Sequence, residues 1–244
     1  MKQNIIVTGS AGLIGSKLVK TLRESPYNNI FEIDRKYSGE VDSIDTLFKT
    51  YKIDVVYHLA AQTSVFNTEH EQMVKDNICA FVKIVDLCKT HGTKLIYASS
   101  STAFDENTTS LYGLTKKFNE DYARLYCPTA TGVRLHNVYD ETNPREGTLL
   151  WHIFNDDIIR LYNKGENKRY FTHINDAVKG LILATNSKEK LVNCFSDKCK
   201  TLKEFVNEHN IYNKKVELLN EIRDLDVFEQ KIDTSLQNIL NAES

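Results

Sequence analysis

No cysteine in this chain stands at metal-ligand or redox spacing from another. The five, Cys79, Cys88, Cys127, Cys194 and Cys199, are odd in number, scattered and without a C-x-x-C pair. That argues against a disulfide scaffold or a zinc site, leaves no expected metal, and makes a reducing cytoplasm the simplest compartment. Long hydrophobic runs are missing too: the N-terminal MKQNIIVTG breaks at glycine after a short apolar run, so neither a signal peptide nor a membrane span is expected. Nor is there an excess of either charge. With 31 Lys+Arg against 33 Asp+Glu and a net charge of −2, no global basic field points to nucleic acid or an anionic membrane. Small anionic ligands held at local sites stay open. Repeats and low-complexity linkers are absent, and 244 residues suffice for one large α/β domain or one domain with a smaller lobe.

What is present begins at once. Asn4 to Thr8 is a short β-branched run that ends in TGSAGLIG, and an amphipathic helix follows from Ser16 to Arg23. In this strand, loop and helix, Gly9, Gly12 and Gly15 are spaced by three. The first permits a tight turn, the second lets a pyrophosphate approach the backbone, and the third lets helix and strand pack closely. Free N–H groups at the helix start, at Leu13, Ile14 and Gly15, are the expected phosphate donors. A second apolar run, Ile30 to Ile33, ends in Asp34, nineteen residues after Gly15. A carboxylate there accepts ribose hydroxyls and repels a 2′-phosphate, which favours NAD over NADP. Arg35 and Lys36 directly after it are the residue types that accommodate that phosphate.

Further along, Val41 to Tyr51 has helical spacing and Asp54 to Leu59 reads as a third strand, apolar almost throughout. It runs into Leu59, Ala60 and Ala61, small enough at Ala60 and Ala61 for a flat ligand to lie against the backbone; His58 reads as a satisfied buried histidine. A helix is expected from about Glu69 to His91, a fourth strand at Lys94 to Ala98, another helix from Tyr112 to about Tyr126, and a fifth strand at Gly132 to Leu135. After Leu135 the alternation is irregular: a short helix at Leu149 to Phe154, a strand at Ile158 to Tyr162, then RYFTHINDAVKGLILAT as strand and helix capped by Asn175 or Asp176. Strand at Leu191 to Phe195, helix at Thr201 to His209, strand at Val216 to Leu219 and a last helix near Ser235 to Leu240 complete the chain. The fold class is α/β, a Rossmann-like doubly wound parallel sheet with a small interleaved α/β lobe. Residues 1–136 and 172–190 are expected in the dinucleotide domain, and 137–171 and 191–244 in the lobe.

The stretch YGLTK, Tyr112 to Lys116, sets a phenol and an ammonium four residues apart on one helix face. A neighbouring positive charge favours the phenolate and lowers a tyrosine from its usual pKa near 10. Ser99, Ser100 and Ser101 lie a short loop upstream.

TGSAGLIG, Asp34, DVVYHLAAQ, YASSS, YGLTK, GVRLHNVY and RYFTHINDAV stand in an order that covers nearly the whole chain. The chain resembles the extended short-chain dehydrogenase/reductases, and within them the NAD-dependent nucleotide-sugar epimerase/dehydratase group. The resemblance implies Tyr112 as acid/base, Lys116 on the nicotinamide ribose and tuning the tyrosine, and a serine bonding the reacting sugar hydroxyl. Counting back four from Phe104 selects Ser100, with Ser101 beside it in the substrate site. It further implies Asn137 and Arg169 on the diphosphate of a sugar nucleotide, and Arg223 as a second phosphate-binding arginine. The dehydratases of the group carry an Asp-Glu pair where this chain has Ser101 and Thr102, so dehydration is disfavoured and reversible epimerisation, at C4, is the implied reaction. A keto-sugar reductase, to which the ending AFD is similar, and a non-catalytic NAD-binding scaffold remain alternatives. NVYDE in place of the family's NVYGP, Asp105 in place of a glycine, and a chain shorter than ordinary members imply a reduced sugar-binding lobe. A homodimer through the helices near 69–91 and 111–126 is the assembly the family implies.

Overall fold

Runs of β-branched and aliphatic residues with no polar face form strands only where both faces are covered, and Ile5, Ile6, Val7, Val55 and Val56 are at most 3% exposed. The computed structural model describes residues 2–36, 44–195 and 198–241. In chain order the strands are β1 (Gln3–Thr8), β2 (Asn28–Ile33), β3 (Val55–His58), β4 (Lys94–Ser100), β5 (Ala130–Leu135), β6 (Val138–Tyr139), β7 (Ile158–Leu161), β8 (Lys168–Tyr170), β9 (Thr172–His173), β10 (Leu191–Cys194), β11 (Cys199–Thr201) and β12 (Lys215–Leu218). The helices are α1 (Leu13–Leu22), α2 (Ile44–Thr50), α3 (His70–Val74), α4 (Ala80–His91), α5 (Leu111–Tyr126), α6 (Leu149–Asn155), α7 (Ile174–Ala184) and α8 (Leu202–His209).

A six-stranded sheet in the order β10-β5-β4-β3-β1-β2, parallel at every pairing, forms the centre. The chain builds outward from β1 to β2, then returns to the other side of β1 with β3, so the order reverses between β1 and β3. Ligands of such sheets bind beyond the strands' carboxyl ends at that reversal. Leu18 and Val19 of α1 with Val178 and Leu181 of α7 cover one face of the sheet, and Phe48, Phe81, Ile84, Val85 and Ala123 of α2, α4 and α5 cover the other. Each such fully buried large side chain contributes about 1.5–3 kcal/mol of transfer free energy. A third core, with Ile153, Ile159, Leu161 and the stacked pair Phe171 and Phe205, holds the smaller lobe.

Several elements differ from expectation. Leu191–Cys194 was expected in the smaller lobe, but it pairs in parallel with Gly132–Leu135 and is the sheet's sixth strand, because Val192 and Cys194 complete the core over α7. The helix expected over 69–91 is interrupted by a π-helical turn at Lys75–Cys79. Residues 41–43 of the helix expected at 41–51 lie outside the described residues; α2 covers the rest from Ile44 to Thr50. His173, rather than Asn175 or Asp176, caps α7, its Nδ1 accepting from the Asn175 N–H at 3.2 Å. The last helix near 235–240 is replaced by a short 3-10 turn at Ile239–Asn241. Asn193 Nδ2 donates to the carbonyls of Asp233 and Leu236, and the Asn193 N–H donates to Gln237 O, so those carbonyls serve β10 instead of a helical ladder.

Candidate active site

The loop after β1 is shaped by two glycines that no other residue could replace without displacement. Gly9 has φ +70°, and a Cβ there would sit 2.7 Å from Ala60 N; a Cβ on Gly15 would sit 2.0 Å from Gly9 O. Gly12 differs, since a Cβ there would meet only Gly9 O, at 3.2 Å, and the rest of its surroundings is open cavity. Gly12 also supplies no side-chain cap to α1, so the first-turn N–H groups of Leu13, Ile14 and Gly15 are left to face that cavity. Asp34 stands at the end of β2 with Oδ2 accepting from Ala11 N at 3.0 Å and Oδ1 from Lys36 N at 2.9 Å. Two adjoining cavities, of about 440 and 380 Å³, share Gly9, Gly12, Leu59 and Ala61 as walls. Asp34 and Ala60 line the smaller, and Ser100, Ser101, Tyr112, Lys116, Asn137 and Arg169 line the larger. This cradle of close-packed glycines, helix N–H groups and a strand-end carboxylate on the cavity wall fits a dinucleotide. His58, under it, is 2% exposed with Nδ1 against Thr8 Oγ1 at 2.8 Å, and burial beside the Lys116 charge pushes its pKa down to about 3.

Helix α5 starts where Ser110 accepts from Gly113 N at 3.3 Å, which sets Tyr112 in the first turn over the end of β4. Ser100 stands near enough to the Tyr112 phenol to lower its pKa, and both line the larger cavity. Ser100 Oγ accepts from Thr102 N at 3.2 Å and Thr102 Oγ1 at 2.9 Å. With both lone pairs engaged, the serine has a single proton left to donate. Ser101 faces elsewhere, its Oγ accepting from Gln230 Nε2 at 2.5 Å.

Lys116 is buried at the cavity wall. Its Nζ donates to Ala98 O at 2.8 Å and lies 5.9 Å from the Tyr112 ring centroid. Burial of the ammonium pushes its own pKa down to about 8, against a raising influence from Glu120. The phenol is raised above its usual value, because burial outweighs the Ser100 hydrogen bond and the charge of Arg145, the two influences that lower it. Arg145 thus adds a second cation acting on Tyr112, beside the nearby Lys116 ammonium.

Around the larger cavity the C-terminal segment closes one wall with Leu225, Asp226, Val227 and Gln230. Arg169 is buried and paired through Nη2 with Asp226, which also accepts from Asn167 Nδ2 at 2.8 Å. Asn137, at φ +35°, donates from Nδ2 to Tyr170 O at 2.8 Å and to Gln230 Oε1 at 3.1 Å. Arg223 is not on the cavity wall: its guanidinium lies over the Phe66 and Tyr162 rings, 4.7 and 5.1 Å from their centroids. The second guanidinium on the wall is Arg145, whose Nη1 donates to Thr63 Oγ1 at 2.9 Å.

Sequence reasoning missed Arg145, Gln230, Asp226 and Glu120. Arg145 sits in NPREG, which reads as an exposed loop, and nothing local distinguishes Gln230 from a solvated glutamine. Glu120 carried a usable signal, since it follows Lys116 by four residues on the same helix face.

A glycine-cradled dinucleotide site and a Ser-Tyr-Lys group at one sheet edge define a short-chain dehydrogenase/reductase architecture. A profile of the NAD dependent epimerase/dehydratase family matches residues 5–194, and the chain belongs to that family, whose cofactor is NAD. Among relatives, Protein CapI of Staphylococcus aureus is 30% identical over 226 aligned residues, covering 72% of this chain and 67% of that one. UDP-glucuronate 4-epimerase 4 of Arabidopsis thaliana is 27% identical over 240, covering 76% and 54%. The chain thus spans between about half and two thirds of the length of these curated relatives. The solved UDP-N-acetylglucosamine 4-epimerase from Methanobrevibacter ruminantium is similar in structure, with TM-score 0.78, 26% identity and coverage of 96% and 91%. No helix among the described residues is long and apolar enough to cross a membrane.

Proposed function

We propose that this protein epimerises a nucleotide-diphosphate sugar, at C4, through transient oxidation to a 4-keto sugar. The observation that carries the reading is the convergence of Ser100, Tyr112 and Lys116 on one cavity that adjoins the dinucleotide cradle. NAD, held by the glycine cradle, would supply a reversible hydride acceptor. Tyr112 takes the sugar hydroxyl proton as its C–H bond breaks and returns it on reduction, while Ser100, steadied by Thr102, bonds the same oxygen. Lys116, fixed on the Ala98 carbonyl, is assigned to the nicotinamide ribose. Gly9, Gly12, Leu13, Ile14, Gly15, Asp34, Leu59, Ala60 and Ala61 are assigned to the dinucleotide, and Ser101, Asn137 and Arg169 to the sugar nucleotide. Arg145 replaces Arg223 as the second arginine for the diphosphate, since it stands on the cavity wall.

Dehydration needs a free carboxylic acid that the cavity wall does not offer. Among the described residues that line the larger cavity the only carboxylate is Asp226, and Arg169 and Asn167 hold it. The names of the relatives favour UDP-sugars with C4 as the reacting carbon. The reading includes a homodimer across α5, where Phe118 stacks on Tyr122 and Tyr122 meets a tilted Tyr126 along one face, beside exposed Leu114 and Leu125. The cytoplasm is its compartment, in keeping with five unpaired cysteines.

Incubation with UDP-, GDP-, dTDP- and CDP-sugars tests the proposal, followed by NMR for inverted stereochemistry and by absorbance at 340 nm. A new epimer with no net absorbance change is the expected result. Stoichiometric consumption of reduced cofactor would instead make the protein a keto-sugar reductase, and turnover retained by Tyr112→Phe would remove the acid/base assignment.

A further inference from the structure

The chain carries two opposed instructions at the end of β2: Asp34 repels a 2′-phosphate, and Arg35, next to it, is the kind of group that binds one. The fold resolves the conflict at a third residue, 41 positions later. The Arg35 guanidinium lies edge-on against the Asp76 carboxylate, with Nη1 donating to Oδ2 at 2.8 Å and Nη2 to Oδ1. Asp76 arrives there on the π-helical turn Lys75–Cys79, whose extra residue rotates the side chain relative to a regular helix. Its side chain is 6% exposed, against 56% for Arg35, so the carboxylate is the fixed member of the pair.

Other donors hold it in place. Gln62 Nε2 donates to Oδ2 at 2.7 Å, and Gln72 Nε2 donates to Oδ1 at 2.8 Å. The four donors fill the roughly four acceptor sites of a carboxylate, two of them from one guanidinium. These bonds, the Arg35 pair first, hold the Asp76 pKa down to about 2, so the charge persists at any working pH. Asp34, Arg35, Gln62 and Asp76 all line the smaller cavity, beside the Gly9 and Gly12 backbone.

We propose that Asp76 is a specificity-determining residue for the dinucleotide: it draws Arg35 into a two-point ion pair and so withholds that guanidinium from a 2′-phosphate, leaving Asp34 to select NAD over NADP. The inference rests on the NAD-binding reading and assigns the discrimination to a residue outside the strand-end carboxylate. A phosphate at the ribose 2′ position would have to displace Asp76 from Arg35 while facing both carboxylates.

Titration calorimetry with NAD+ and NADP+ at fixed ionic strength tests it, with any dinucleotide that co-purifies quantified by mass spectrometry. Asp76→Ala is expected to tighten NADP+ binding about tenfold, the worth of one charge-assisted contact, and to change NAD+ by less than about twofold. Arg35→Ala alone, at a half-exposed position that the fold tolerates, is expected to leave both affinities within about twofold. Added to Asp76→Ala, it is expected to erase the NADP+ gain. An unchanged NADP+ to NAD+ ratio in folded Asp76→Ala would overturn the proposal. So would a loss of about tenfold in NADP+ affinity on Arg35→Ala alone, since Arg35 would then already reach the phosphate. Wild-type protein that binds neither dinucleotide would overturn the cofactor reading and this inference with it.

Discussion

Replacing Glu120 by Gln is expected to cost the fold about 3 kcal/mol. Arg134 lies in β5 with its side chain 8% exposed, and Glu120, equally buried, takes both its Nε and Nη2 at 2.7 Å. Nη1 reaches Asp233 at 2.9 Å, and Ser99 Oγ donates to Glu120 Oε1 at 2.5 Å. Removing one member of a buried ion pair costs about 3–5 kcal/mol because the other charge is left without compensation. Asp233 remains as a partner, and glutamine keeps one acceptor, so the lower end of that range applies. Urea unfolding followed by circular dichroism is the assay. At a slope of about 2–3 kcal/mol per molar, the midpoint falls by about 1 M with little change in slope. Glu120→Leu combined with Arg134→Met, which removes both charges, is expected to be less destabilising than Glu120→Gln. A loss under about 1 kcal/mol for the single variant, or a double variant that costs as much as the single, would refute the reasoning. A second readout follows from Lys116, whose ammonium Glu120 supports against burial. Without that carboxylate its pKa falls below about 8, so the alkaline limb of activity moves to lower pH.

Tyr112→Phe is expected to lower turnover by about 10²–10⁴-fold in a steady-state assay while unfolding near the wild-type midpoint, and Ser100→Ala is expected to cost more activity than Ser101→Ala. Stability should fall with acid through the window set by His58. Its folded pKa is about 3 against 6.5 unfolded, so between those values the unfolded chain binds the extra proton and stability declines as pH is lowered. His58→Gln should flatten that limb by up to about 1.4 kcal/mol per pH unit, measured as unfolding midpoints from pH 7 to 4. Phe118→Glu on the stacked face of α5 is expected to convert a dimer to a monomer by light scattering at micromolar concentration; a wild-type monomer would remove the dimer from the reading.

Much of the sheet was legible because a parallel strand covered on both faces leaves an unbroken apolar run, as in IIV of β1 and VVY of β3. The glycine loop and YGLTK were legible for a related reason, since their chemistry requires residues at fixed local spacing. What escaped depends on contacts between segments far apart in sequence. The π-helical turn at Lys75–Cys79 leaves the apolar pattern of its flanking helices almost intact, yet it decides where Asp76 points. The tail near 235–240 has helical spacing, but Asn193 from β10 captures its carbonyls. Arg223 and Arg145 look alike as loop cations, and only the walls of the cavity and the rings of Phe66 and Tyr162 separate them. The balance at Tyr112 was illegible on a simpler ground: spacing puts Lys116 near the phenol but does not reveal how strongly burial resists either charge.

The reach of the C-terminal segment bears on how the protein comes into being on the ribosome. Gln230 meets Ser101 across 129 residues and Asp233 meets Arg134 across 99. Synthesis from the N-terminus at about 5–20 residues per second finishes the glycine cradle well before either partner exists. A nascent chain can therefore own a complete dinucleotide cradle while its serine loop still lacks a partner for Ser101. An arrested chain that ends before Gln230 should exchange the backbone amides of residues 99–102 faster than the released protein does.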